Sequence, residues 1–311
     1  MNPKSLSTLE YDKVIERLAA LCETAAGRQL ALDLLPSSSF PDVLHRQRLT
    51  AEARRFLEMK GISLAPARDV RDLVRQAALG HTLEPSELLD VHATLTLARQ
   101  ARDTLDRLRV RLPFLAETAG AIGDFAGLAS EISRAVNPRA EVVDGASPVL
   151  TQLRRDARHA HDRLSRRLQQ LVSSSALRGA LQDPLVTLRD GRYVVPVKAE
   201  MRSQLPGIVH DVSSSGATVF LEPLETVEMG NAWRELQAEE EREVRRILRA
   251  LSERVGARAA EIAAAVDALA EIDLALAKAR LGEALGAKAL PYDGPDQPWL
   301  LDKSGFVHLA D

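Results

Sequence analysis

Leu185-Val186-Thr187-Leu188-Arg189-Asp190-Gly191-Arg192-Tyr193-Val194-Val195-Pro196-Val197 sets two runs of β-forming residues on either side of an Asp-Gly pair. Asp-Gly between such runs is the strongest short-range hairpin signal, because the two-residue turn demands positive φ at both central positions. The turn fixes the pairing: Leu188 faces Tyr193, Val186 faces Val195 to build one apolar face, and Arg189 stands directly opposite Arg192. A second pair of runs, Gly207 to Val212 and Ala217 to Glu222, is joined by Ser213-Ser214-Ser215-Gly216 and predicts a second hairpin, with His210 opposite Val219. Residues 182–224 thus read as a small antiparallel β module.

Both flanks of this module are helical in pattern. Upstream, Ser147-Pro148 supplies an N-cap with proline at the first helical position. Leu150, Leu153, Ala157, Ala160, Leu164, Leu168 and Leu171 then keep one apolar stripe, a helix of close to 40 Å at about 1.5 Å per residue. Downstream, helical periodicity runs from Leu224 to Leu285 through Val244, Ile247, Leu251, Val255, Ile262, Val266, Leu269, Ile272 and Leu276. Gly256 is the one glycine in the middle of that run and is the expected kink or break. Before residue 147 the pattern is one of short helices: Ser7-Thr8-Leu9-Glu10 as a capping box, Leu9, Val14, Leu18 and Leu21 on one face, then helices near Thr24–Leu34, Pro41–Lys60, Val70–Leu79 and Pro85–Val110.

The fold class expected is therefore mainly α, a helical core with two long lever helices and a small antiparallel β clamp inserted at their tip. The divisions read from the sequence are 1–147 helical core, 148–181 ascending lever helix, 182–224 β clamp, 225–286 returning lever helix, and 287–311 a segment leading onward.

The chain has 311 residues, 45% hydrophobic and 27% charged, with 41 Lys and Arg against 44 Asp and Glu for a net charge of −3. That balance excludes a uniformly basic nucleic-acid binder, so any such binding must come from local patches. Two Trp, three Tyr and six Phe are too few for a base-stacking platform. The single cysteine, Cys22, excludes an internal disulfide framework and fits a reducing, cytoplasmic setting. No stretch is apolar enough to span a membrane, and the opening Met1-Asn2-Pro3-Lys4 lacks a signal-peptide core.

Chemistry is sparse. His159 and His161 are two apart on a helix and point to different faces, so they do not pair on a metal. Gly282-x-x-x-Gly286-Ala287-Lys288 has the wrong spacing for a phosphate-binding loop, and no dinucleotide glycine fingerprint or nucleophile with a matching base occurs. The polar features that stand out belong to the β module. Like charges opposed across strands are unfavourable unless an anion sits between them, and a phosphate would satisfy Arg189 and Arg192, with Lys198 and Arg202 close behind. Ser213, Ser214 and Ser215 offer hydroxyls and backbone N–H groups to phosphate oxygens. The competing reading makes these arginines solvated loop-tip residues, the serines a polar turn chosen for geometry, and His210 a structural histidine. On the ascending helix Arg154, Arg155, Arg158, Arg163, Arg166 and Arg167 either track a polyanion or pair with Glu239, Glu240, Glu241 and Glu243 on the returning helix. Pairing is the more economical reading, since it accounts for the absence of net positive charge.

The block Arg189-Asp190-Gly191-Arg192-Tyr193-Val194-Val195-Pro196-Val197-Lys198-Ala199-Glu200, followed by Gly207-Ile208-Val209-His210-Asp211-Val212-Ser213-Ser214-Ser215-Gly216-Ala217-Thr218-Val219-Phe220-Leu221-Glu222-Pro223, resembles the second bacterial MutS family, MutS-two. Glu239-Glu240-Glu241-Arg242-Glu243, Arg246-Ile247-Leu248 and the opening Leu9-Glu10-Tyr11-Asp12-Lys13 fit the same pattern. The resemblance implies core and lever helices with a clamp at the lever's end and no mismatch-reading domain. It further implies that longer relatives carry a dimerising ATPase domain of the ABC type, using ATP and Mg, and a C-terminal Smr endonuclease domain. Neither is expected within residues 1–311, which end at Phe306-Val307-His308-Leu309-Ala310-Asp311, so no catalytic residue and no cofactor is expected in the chain itself.

The function implied is binding of branched or junction DNA through the sugar-phosphate backbone, in a protein that suppresses homologous recombination. Arg189, Arg192, Lys198, Arg202, Ser213, Ser214 and Ser215 are the expected contacts, an assignment resting on register and chemistry. The alternative is a dimerisation or structural module, or a ribosome (rRNA) binding module acting on stalled or collided ribosomes. DNA, the ribosome and a second copy of the chain are the expected partners, and a membrane is not.

Overall fold

The computed structural model describes residues 3–59 and 61–287. Helix formers dominate the composition, and the chain is mainly α, with one four-stranded antiparallel sheet. Packing divides it into two units, one drawn from residues up to Glu141 together with those from Leu248 onward, the other continuous from Val142 to Ile247. The expected onward segment 287–311 lies, apart from Ala287, outside the described residues, as do Met1, Asn2, Lys60 and Lys288.

The first unit contains α1 (Pro3–Thr8), α2 (Tyr11–Ala20), α3 (Ala25–Leu32), α4 (Phe40–Glu58), α5 (Arg71–Ala78), α6 (Pro85–Arg107), α7 (Pro113–Gly120) and α8 (Ala126–Ala135). To these it adds the last turns of α10 (Leu224–Gly256) and the whole of α11 (Ala259–Ala284). Ile262, Val266, Leu269, Ile272 and Leu276 are all buried, as are Ala265, Ala268, Ala270 and Ala275. Only a narrow strip with Glu261, Asp267 and Glu271 stays exposed, and a helix buried over most of its circumference is a core helix. α11 accordingly packs against α2, α3, α4, α5, α6 and α7.

One expectation for this unit needs correction. Ser7-Thr8-Leu9-Glu10 does not cap a helix: α1 ends at Thr8, the Glu10 amide donates to the Ser7 carbonyl, and α2 starts only at Tyr11. With the helix so phased, Ile15, Leu18 and Ala19 form the buried stripe, while Leu9 and Val14 are exposed. The long downstream run breaks at the expected glycine. It stops at Gly256 and restarts at Ala259, because the backbone of Ala77 and Ala78 lies where a side chain at 256 would be.

In the second unit, α9 (Pro148–Ser173) has the expected start, Ser147 Oγ accepting the Leu150 amide at 3.0 Å. The strands are β1 (Thr187–Arg189), β2 (Arg192–Lys198), β3 (Gly207–Val212) and β4 (Thr218–Pro223), in the spatial order β1-β2-β4-β3. A 3₁₀ segment, Ala199–Gln204, joins β2 to β3. Leu164, Leu168 and Val172 of α9 bury against Leu181, Val195, Val197, Leu205 and Leu221, with Tyr193 and Trp233 packed alongside. His161 of α9 completes the junction: its Nε2 is 2.8 Å from the Tyr193 hydroxyl, and its ring sits 5.2 Å from that of Trp233 on α10. One aromatic trio thus ties sheet to both helices.

The first hairpin has the expected turn and register. Asp190 and Gly191 have φ of 48° and 72°, Leu188 pairs with Tyr193, and Arg189 with Arg192. Its apolar face differs from expectation: Val186 precedes the strand and packs on the core from there, whereas Leu188 is 50% exposed. In the second hairpin Val219 pairs with Val212, not His210, because a bulge between Val209 and Asp211 takes His210 out of the ladder.

Candidate nucleic-acid interface

Seven polar residues of the β module were expected to meet a polyanion, and the fold sorts them into two groups at opposite ends of β2. Arg189 and Arg192 flank the Asp190-Gly191 turn at its start, and Lys198 closes its other end. At about 3.3 Å per residue the ends are about 20 Å apart.

The opposed arginines already have anions of their own. Arg192 Nη1 donates to Glu222 Oε1 at 3.1 Å and to Asn231 Oδ1 at 2.8 Å. Glu222 is only 3% exposed, and its other oxygen, Oε2, lies 2.7 Å from His210 Nε2. The bulge that displaces His210 from the ladder therefore delivers it to a buried carboxylate. Arg189 Nε lies 3.3 Å from Asp211 Oδ2, and its guanidinium sits over the Phe220 ring at 4.5 Å. The unfavourable facing of like charges is relieved by Glu222 and Asp211, so it does not by itself call for an external phosphate.

The other group is differently disposed. Lys198 pairs with Thr218, and the Ala199 amide donates to the Ala217 carbonyl, which brings the Ala199–Gln204 segment beside the serine turn. Within that turn the Gly216 amide donates to the Ser213 carbonyl at 2.8 Å and the Thr218 amide to Ser213 Oγ at 3.0 Å. Ser213 is thus committed to holding the turn, while Ser214 and Ser215 are exposed. Lys198 Nζ donates once, to the Gly179 carbonyl at 3.1 Å, leaving its remaining ammonium protons outward. Arg202 is exposed and makes no ion pair among the described residues. Arg202, Lys198, Ser214 and Ser215 therefore form a patch able to hydrogen-bond anionic oxygens.

The arginine stripe of α9 is partly absorbed by pairing across to α10. Arg154 Nε donates to Glu240 at 2.7 Å and its Nη1 to Asp144 at 2.6 Å, and Arg167 pairs with Glu225. Glu239, Glu241 and Glu243 instead pair along their own helix with Arg242, Arg245 and Arg246. Local partners three and four residues away compete successfully with distant ones. Arg155, Arg163 and Arg166 stay exposed on α9.

Glu243 gives this unit a pH dependence. The Arg246 guanidinium and then the Ser147 hydroxyl hold its carboxyl down to about 2 from an ordinary 4.5. A carboxyl lowered by folding stabilises above its unfolded pKa and loses that contribution as pH falls through its folded one. Stability of the second unit should therefore decline between about pH 4.5 and 2, and Glu243→Gln should flatten that decline when melting is followed by Trp233 fluorescence.

No family model matches the chain. Over 96% of its length it is 42% identical to a protein named endonuclease MutS2 from Thermomicrobium roseum, and over 94% it is 41% identical to one of that name from Pelotomaculum thermopropionicum. A third, from Symbiobacterium thermophilum, is 43% identical over 90% of the chain. The chain belongs to the MutS2 family. The match takes in both units of this MutS2-family chain, which spans 35% to 38% of the length of these curated relatives. The ATP and Mg expected of longer MutS2 proteins find no phosphate-binding loop here, so no nucleotide step is assigned to these residues. Among the described residues no helix is long and apolar enough to cross a membrane.

Neither Glu222 as a hub nor the His161–Tyr193–Trp233 trio was expected. The signals available were a lone acidic residue at a strand end and aromatics spaced across three elements, which acquire meaning only once the elements meet.

Proposed function

We propose that this chain is the DNA-binding core and clamp region of a MutS2-type protein, gripping branched DNA through its sugar-phosphate backbone. In this reading residues 1–147 joined by α11 are the core, 148–181 and α10 up to Gly256 the lever, and 182–224 the clamp. The longer protein is an ATP-dependent endonuclease that dimerises, acts in the cytoplasm and suppresses homologous recombination. The observation that carries the DNA assignment is the patch of Lys198, Arg202, Ser214 and Ser215, in which Arg202 makes no ion pair among the described residues and Lys198 spends one ammonium proton, on the Gly179 carbonyl. Contacts of this chemistry position a duplex without reading its sequence, which suits selection by shape. Arg189 and Arg192 contribute through their remaining N–H groups, with Ser213 shaping the turn.

Lys198→Ala with Arg202→Ala should weaken binding to a four-way junction and lower the slope of log K against log salt by about two phosphate contacts. Arg189→Ala with Arg192→Ala should weaken it less, while lowering the melting temperature because the buried Glu222 keeps only His210 of its two partners. Gel shifts with junction, duplex and single-stranded DNA at two salt concentrations, alongside a structured rRNA fragment, check both. Unchanged junction affinity in the Lys198/Arg202 variant would sink the assignment, and tighter binding to the rRNA fragment would favour the ribosomal alternative.

A further inference from the structure

In the first unit a concave cavity of about 650 Å³ lies between α4 and the end of α11. Arg46, Thr50 and Arg54 line it from one row of α4, with Gln47, Ala51 and Arg55 from the adjacent row. Lys278, Gly282 and Ala287 close the far side. Among the described residues four cations thus face one cavity whose lining holds a single carboxylate, Glu58, in a protein of net charge −3.

The arrangement is built rather than incidental. Arg54 Nη2 donates to the Ala287 carbonyl at 3.0 Å, and a Cβ on Gly282 would come within 3.2 Å of that same nitrogen. Gly282 therefore gives the guanidinium room to lie across the cavity wall. Arg46 is oriented by Asp42, 3.0 Å away, and by the Leu35 carbonyl. Arg55 makes no ion pair among the described residues. Lys278 is partly buried, and burial followed by the Arg46 charge pushes its ammonium down to about 8. The other groups facing it are Asp42 and His45 of α4 and the Cys22 thiol after α2, with Glu271 on its own helix. Cations crowded in a recess repel one another until an anion enters. The volume exceeds that of an inorganic ion and falls within the range for small organic ligands.

We propose that this cavity binds a small phosphate-bearing organic molecule, its phosphate held by the guanidinium forks of Arg54 and Arg55 and the ammonium of Lys278. Arginine forks match phosphate oxygens two at a time, and the lysine adds a point charge. Thr50 and Gln47 face the same space and are available to the ligand's polar body, Ala51 and Val43 to its apolar part.

Calorimetric titration of the whole chain with inorganic pyrophosphate and with adenosine monophosphate tests this. One saturable site is expected for at least one probe, weakened at least tenfold by Arg54→Gln with Arg55→Gln. Because the bound anion raises the Lys278 pKa, binding of adenosine monophosphate at pH 8, where its own phosphate is already ionised, should take up about half a proton, as read from buffers of different ionisation heat. Lys278→Met, which keeps the aliphatic stem, should abolish the uptake while circular dichroism verifies the fold. Absence of saturable binding for both probes, or affinity unchanged in the Arg54/Arg55 variant, overturns the proposal. So does displacement of the probe by duplex DNA at matching stoichiometry, which would assign the cavity to backbone phosphates.

Discussion

Gly256→Ala is expected to destabilise the first unit by about 3 kcal/mol, although helix propensity alone argues the other way by about 1 kcal/mol. The added Cβ would stand 2.6 Å from the carbonyl carbon and oxygen of Ala77 and 2.7 Å from the Ala78 amide nitrogen. These are backbone atoms at the end of α5, so no side chain can swing aside to make room. Either α5 or the last turn of α10 must retreat, unpacking Val74, Ala77 and Val255, all of them buried. Gly127→Ala in α8 is the matched control. Nothing lies within 4 Å of a Cβ at that position, so propensity acts unopposed and the variant should gain up to about 1 kcal/mol. Urea denaturation of the two variants should move in opposite directions. A stabilised Gly256→Ala protein would mean that α10 ends there for some reason other than the close approach of α5.

The second large effect is expected at Asp273, which is 0% exposed on α11. Its carboxylate accepts from the Glu23 amide at 3.1 Å, the Thr24 amide at 2.8 Å and the Thr24 hydroxyl at 2.7 Å. The Thr24 hydroxyl in turn accepts the Gly27 amide at 2.9 Å, so the acid caps the start of α3 from a helix about 250 positions away. Asp273→Ala leaves buried donors without acceptors and should cost about 3–5 kcal/mol. Asp273→Asn keeps the shape but turns an N–H₂ toward other N–H groups, and should recover only part of the loss. A Cβ at Gly27 would collide with this carboxylate, so Gly27→Ala should be costly in the native background and cheaper once Asp273 is alanine. A double-mutant cycle on melting temperatures reads that coupling. Strictly additive effects would show that the two residues do not share one site.

Local rules made the first hairpin legible, register included, because an Asp-Gly turn leaves the chain almost no freedom in how its arms pair. The start of α9 was equally readable from Ser147-Pro148. The second hairpin was not, since a bulge at His210 depends on what its side chain can reach, and Glu222 lies on another strand. The same limit governed the arginines. That Arg189 and Arg192 face each other follows from spacing, but that Asp211, Glu222 and Asn231 receive them follows from strand order β1-β2-β4-β3 and from α10 arriving alongside. On α9, pairing with α10 was foreseen in kind and holds for Arg154 with Glu240. It fails for Glu239, Glu241 and Glu243, where neighbours on the same helix are nearer.

The first unit is assembled from both sides of the second, and its central helix comes last in sequence. A ribosome therefore delivers α2 to α7 well before the helix they pack against exists. Until α11 emerges, α3 lacks the acid that caps it, and the faces of α4 to α7 that pack on α11 stay uncovered. Residues 142–247, whose contacts are mostly among themselves, can close first. The part of the protein made earliest is thus the part that must wait longest, and a nascent chain halted before Ala259 would present its most aggregation-prone surface.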